Sequence, residues 1–203
     1  YAESSRKAFH RIEKLPAARG MIVDSREEPI AKSIPVSTLF LDRNHLIDPK
    51  LASYGVACKE LSATDGWDQL DSDTRKRQVV SLRGEILERD TGDEIVRKHK
   101  DYAVSVLARP LGMKRAELME KIENGKGKSM WFPLVKDMPD DVAEGLRETI
   151  TRNFLQGFEF QNSSKRWYSS PNLATHLIGF TGEKEMPNEK GKLEAKVVGR
   201  FGI

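Results

Sequence analysis

Lys165, Arg166, Trp167 and Tyr168 form a basic and aromatic cluster, the side-chain set that neutralises phosphates and stacks on bases in single-stranded nucleic acid. Two serine patterns suggest acyl transfer instead. Ser4 stands three residues before Lys7, and Ser170-Pro171-Asn172 forms a Ser-x-Asn triplet, letter patterns with which one class of acyltransferases activates a serine hydroxyl. The surroundings favour neither chemistry. A nucleic-acid surface calls for a wider basic stripe and a clearly positive domain, whereas 34 basic residues here face 31 acidic ones, for a net charge of +3. Arg75-Lys76-Arg77 is followed by Glu85, Glu88, Asp90 and Asp93, so it reads as a solvated helix face. A serine nucleophile should open a buried helix beside an oxyanion hole. Ser4 lies near the start of the chain, and no Lys-Thr-Gly triplet completes the set.

Other chemistry-bearing residues are scattered. His10, His45, His99 and His176 lie far apart, and Cys58 is the single cysteine. None makes the close-spaced ligand pair that signals zinc, and one cysteine permits no intramolecular disulfide. His176 sits in an apolar run and reads as a packed histidine. Gly127-Lys128-Ser129 copies the end of a phosphate loop, but Ile122 occupies the place of its first glycine. No catalytic residue, metal or cofactor is assigned from the sequence.

The elements that would position any site follow from periodicity. A length of 203 residues allows one sizeable domain or two small ones, and a mean hydropathy of -0.56 leaves no run of about twenty apolar residues able to cross a membrane. Phe9, Ile12 and Leu15 predict a short helix or extended lead-in before Pro16. Met21, Ile22 and Val23, a turn over residues 24–28, and the β-branched stretch from Ile30 to Leu41 predict a β-hairpin. Pro29 and Pro35 lack amide donors, which predicts an edge strand or a broken one. Residues 42–72 show no assignable period.

From residue 73 to 89, Val79, Leu82 and Ile86 fall on one side of an amphipathic helix. Thr91-Gly92-Asp93 breaks it, and Ile95 to Leu107 forms a second. Leu118 and Ile122 mark a third, stopped by Asn124-Gly125. The run from Ser129 to Val135 reads as a strand. Pro139, Asp140 and Asp141 open a helix in which Val142, Leu146 and Ile150 recur every four residues, up to Gly157. Phe158 and Phe160 then alternate with Glu159 and Gln161, the period of a half-buried strand. Residues 172–180 are short and apolar, enough for a helical turn or two, and residues 182–196 read as a charged loop. The fold class is α+β, with β segments at both ends and a helical insertion: a β-rich part over 1–72, a mostly helical part over 73–156, and a second β-rich part over 157–203.

Three stretches, in this order, resemble the N-terminal dimerisation or pedestal domain of class B penicillin-binding proteins. The first is LPAARGMIVDSREEPIA, where Arg19, Gly20, Ile22, Asp24 and Ala31 match the family's hairpin and Ser25-Arg26-Glu27 replaces its usual Arg-Asn-Gly turn. The second, GFEFQNSSKRWYSSPNLATHLIGFTG, matches at Gly157, Arg166, Tyr168, Leu173, Ala174, His176, Ile178, Gly179 and Phe180, with Ser169 where proline is common. The third, GRFGI, resembles the segment that leads into a transpeptidase domain. Gly20, Gly179, Gly182, Gly199 and Gly202 stand where the chain should turn sharply or approach other backbone. Arg19 and Arg166 are expected to knit the three motifs together, with Asp24 as a candidate acceptor.

The resemblance implies a non-catalytic, periplasmic module of a D,D-transpeptidase. The chain would be an excised piece, with a membrane anchor in the bacterial inner membrane before it and a β-lactam-binding domain after it. Its implied partners are that transpeptidase domain, glycosyltransferases of the SEDS class and other cell-wall synthesis proteins. A homodimer is among the assemblies the resemblance allows, and nucleic acid is not among the partners.

Overall fold

The computed structural model describes residues 19–125, 129–170, 180–187 and 193–201. The expected short helix or extended lead-in around Phe9 and the apolar stretch at residues 172–179 lie outside them. Two compact units divide the chain, one of residues 1–34 with 166–203 and the other of residues 35–165.

In the first unit, strand β1 (Ile22–Val23) pairs antiparallel with the start of β2 (Pro29–Asp42), Ile22 facing Ala31. The turn between them closes on itself. Asp24 Oδ1 accepts the amides of Arg26 at 2.8 Å and Glu28 at 2.9 Å, and the Asp24 amide donates to the Glu28 carbonyl at 3.0 Å. Glu27 takes the left-handed conformation, φ 65°, which glycine adopts with less strain. Strand β4 (Phe158–Tyr168) is followed by Ser169, whose amide donates to the Ile30 carbonyl at 2.9 Å. Strands β5 (Phe180–Pro187) and β6 (Leu193–Phe201) pair antiparallel from Phe180 opposite Phe201 to Pro187 opposite Leu193. Residues 182–187 and 193–196 therefore lie in paired strands where a charged loop was expected. Ladder bonds join backbone to backbone, so charged side chains conceal such a ribbon from a search for apolar alternation.

In the second unit, the rest of β2 pairs antiparallel with β3 (Trp131–Pro139), Val36 opposite Pro139 and Asp42 opposite Trp131, and β4 pairs β2 as well. β2 is thus one continuous strand with several partners, neither broken nor an edge. Pro35 falls between the stretch paired with β1 and the stretch paired with β3, where neither register needs its missing amide.

Helices α1 (Arg43–Ile47) and α2 (Pro49–Ser62) occupy the unassigned stretch. Their starts are well marked: Asp42 caps α1 through the Asn44 and His45 amides, Asp48 caps α2 through Lys50, and Pro49 takes the first turn. A 3-10 turn (Trp67–Gln69) leads to α3 (Ser72–Arg89), which buries Val79 and Ile86 as its period predicts. Thr91 and Glu94 form a capping box on α4 (Gly92–Leu107), and α5 (Arg115–Asn124) buries Leu118 and Ile122. α6 (Asp140–Arg152) ends five residues before Gly157. It buries Ala143, Leu146 and Ile150, while Val142 stays 42% exposed. The core joins Leu39 and Leu41 of β2 to Leu46, Val56, Val79, Ile86, Ile95, Leu107, Leu118 and Leu146.

Arg43 ties the end of α5 to the start of β3. Its guanidinium donates to the carbonyls of Glu123 at 2.9 Å, Gly125 at 3.0 Å and Ser129 at 3.1 Å, and it lies 4.8 Å from the Phe132 ring centre. A cation at a helix C-terminus satisfies carbonyls that have no partner within the helix.

Candidate functional site

The side chain that joins the first two motifs is Arg166. Period two puts Arg166 and Tyr168 on one face of β4 and Lys165 and Trp167 on the other. Half-buried Arg166 donates through Nη1 to the Gly20 carbonyl at 2.6 Å and reaches Ser33 Oγ at 3.5 Å. Ser33 Oγ donates in turn to the Arg19 carbonyl at 3.2 Å. The link thus runs through the backbone of Arg19 and Gly20, and Asp24 spends its carboxylate on the hairpin turn. A guanidinium suits this role because its donors lie in a fixed fork. Gly182 faces Val198 and Gly199 faces Thr181 within the β5–β6 ribbon. His176, Gly179 and Gly202 lie outside the described residues.

The basic and aromatic cluster has other engagements. Lys165 pairs with Asp137 at 3.0 Å, and Lys32 Nζ lies 5.1 Å from the centre of the Trp167 ring. On the strand, the cluster is shared between two faces, one of which is locked by Arg166. Ser4, Lys7, Pro171 and Asn172 of the serine patterns fall outside the described residues.

Two candidates lie in the core of the second unit. Burial pushes the Cys58 thiol up, away from the reactive thiolate, and its Sγ lies 3.8 Å from the Tyr102 hydroxyl, which donates to Asn153 at 2.7 Å. His99 is fully buried with Nε2 against the Gln156 backbone, 3.2 Å from its oxygen, and burial lowers its affinity for a proton. Gly157 brings two backbones together: its carbonyl accepts the Asp42 amide at 2.8 Å, its φ is 86°, and a Cβ there would stand 2.9 Å from the Asp42 carbonyl. An open cleft of about 750 Å³ between α3 and α6 mixes Arg75, Lys76, Arg147 and Arg152 with Asp73, Glu144 and Glu148, so no single charge sign prevails in it.

These features describe a mixed α+β domain whose first two sequence motifs meet through a backbone-binding arginine. Residues 14–203 match the penicillin-binding protein dimerisation domain, and the chain belongs to that family. No curated protein matches the sequence. Among solved structures, it is similar to penicillin-binding protein 2X from Streptococcus thermophilus, at 16% identity and a TM-score of 0.51 over 92% of this chain and 22% of that one. A complex between penicillin-binding protein PBP2 and MreC from Helicobacter pylori gives 16% identity and a TM-score of 0.44 over 92% of this chain and 26% of that one. The chain therefore spans about a quarter of the length of these structures. Among the described residues, no helix is long and apolar enough to cross a membrane.

Replacing Arg166 with alanine is expected to destabilise the first unit by about 2 kcal/mol, the usual scale for losing charge-assisted hydrogen bonds. Amide exchange should quicken around residues 19–33 while the helices of the second unit keep their protection. A lysine at this position should recover only part of the loss, because a point charge lacks the fork. Unchanged exchange at residues 19–33 in the alanine variant would show that the arginine holds nothing there.

Proposed function

We propose that this chain is the non-catalytic pedestal of a class B penicillin-binding protein, lying outside the cytoplasmic membrane and placing a transpeptidase domain over nascent peptidoglycan. The observation that carries the reading is the family match across residues 14–203. The Arg166 link supports it, because a support must keep its shape and this side chain ties two widely separated stretches of the chain together. The work of such a module is positional: limiting where a tethered serine nucleophile can reach raises the fraction of productive encounters without adding any chemistry. In this reading the parent is anchored in the inner membrane, continues into a serine D,D-transpeptidase, and meets SEDS-class glycosyltransferases and other cell-wall synthesis proteins through the pedestal. In this reading, movement at the glycine joint of Gly199 and Gly202 passes a partner's signal to the catalytic domain.

A fluorescent penicillin tests the assignment. It should acylate the full-length parent and leave the 203-residue chain unlabelled, and the parent without this module should keep acylation while losing crosslinking in cells. Labelling of the short chain, or full crosslinking without it, would overturn the reading.

A further inference from the structure

Asp42, His45 and Glu159 come together on the surface of the second unit, from the end of β2, the first turn of α1 and the start of β4. His45 Nδ1 stands 3.5 Å from Asp42 Oδ2 and 3.6 Å from Glu159 Oε1, and one ligand atom from each residue lies within 4.8 Å of the others. These separations are longer than a good N–H···O hydrogen bond. They approach the distance of about 3.3 Å between two donors that bind one zinc ion tetrahedrally at 2.0–2.1 Å.

Hydrogen bonds hold the backbone underneath in place. Asp42 Oδ1 is spent on the Asn44 amide at 2.9 Å, which leaves Oδ2 turned toward the histidine. The Asp42 amide bonds the Gly157 carbonyl at 2.8 Å, which fixes the chain just before β4, two residues ahead of Glu159. His45 and Glu159 keep 52% of their side-chain surface exposed, so an ion has an open approach and water can complete its coordination. One imidazole with two carboxylates suits zinc, whereas magnesium and calcium prefer oxygen donors alone.

We propose that Asp42, His45 and Glu159 form a surface site for a zinc ion, which would fasten β4 to the β2–α1 corner. Sequence spacing concealed this site because Glu159 reaches it only through strand pairing. Calorimetric titration of the 203-residue chain with zinc chloride tests it, alongside His45→Ala and Glu159→Gln. Both positions are exposed, and circular dichroism checks that the variants fold. We expect one zinc ion per chain and a loss of about tenfold or more in affinity for each variant, with magnesium chloride giving no comparable heat. Equal zinc affinity in wild type and both variants would place the ion elsewhere and overturn the proposal. So would the absence of binding at zinc concentrations up to about 100 µM.

Discussion

Gly55→Ala is expected to cost about 3 kcal/mol, the upper part of the range for inserting a methyl group into a packed core. Gly55 lies on buried α2 against His99 of α4, and a Cβ there would run into the His99 ring at Nδ1 and Cε1. Neither side can yield cheaply. His99 is fully buried with Nε2 held against Gln156, and Gly55 sits among buried Ala52, Ser53, Val56, Ala57 and Cys58. For a chain of this size, the melting temperature should fall by on the order of 10 °C. Gly55→Ala combined with His99→Ala should lose less than the two single variants added together, because the second change removes the obstacle met by the first. A Gly55→Ala protein that melts with the wild type would show that the two helices part easily here.

The second large effect is a loss of stability in acid that originates at His99. Its Nδ1 is buried without a hydrogen-bond partner among the described residues, and desolvation holds the folded ring's pKa below its ordinary value. The unfolded ring titrates near about 6.5. Below that pH the unfolded chain binds a proton that the folded chain refuses, so unfolding becomes easier as pH falls. The contribution is up to about 1.4 kcal/mol per pH unit until the folded ring itself protonates. Above about pH 6.5 both states carry a neutral ring and the effect vanishes. Denaturant titrations from neutral pH downward should show wild-type stability falling more steeply than that of His99→Gln, whose side chain does not titrate. Parallel profiles would show that the ring charges without cost.

Short-range regularities in the sequence were enough to specify α3, α4, α5 and α6 and strand β4. Each presents one apolar stripe to the core, and each stripe follows the period of its own backbone. The β1–β2 hairpin was equally legible from its apolar run, its Asp24 turn and its β-branched return, and the motif residues sufficed to indicate the family. α2 escaped because its own middle is buried nearly all round: Ala52, Ser53, Gly55, Val56, Ala57 and Cys58 leave no single apolar stripe to mark a period. Its Asp48-Pro49 start was the available signal. The β5–β6 ribbon escaped because backbone pairing does not depend on the apolarity of its side chains.

Tertiary structure alone decided which distant residues meet. Arg166 could have faced a carboxylate, and it bonds the backbone of Gly20. Asp42, His45 and Glu159 converge because β4 returns along β2, and Gly55 matters because His99 was packed against it. Local pattern determines what a segment can become, since propensity and period act over a few residues. Contacts across a hundred residues depend on how the assembled layers close, which no local period records.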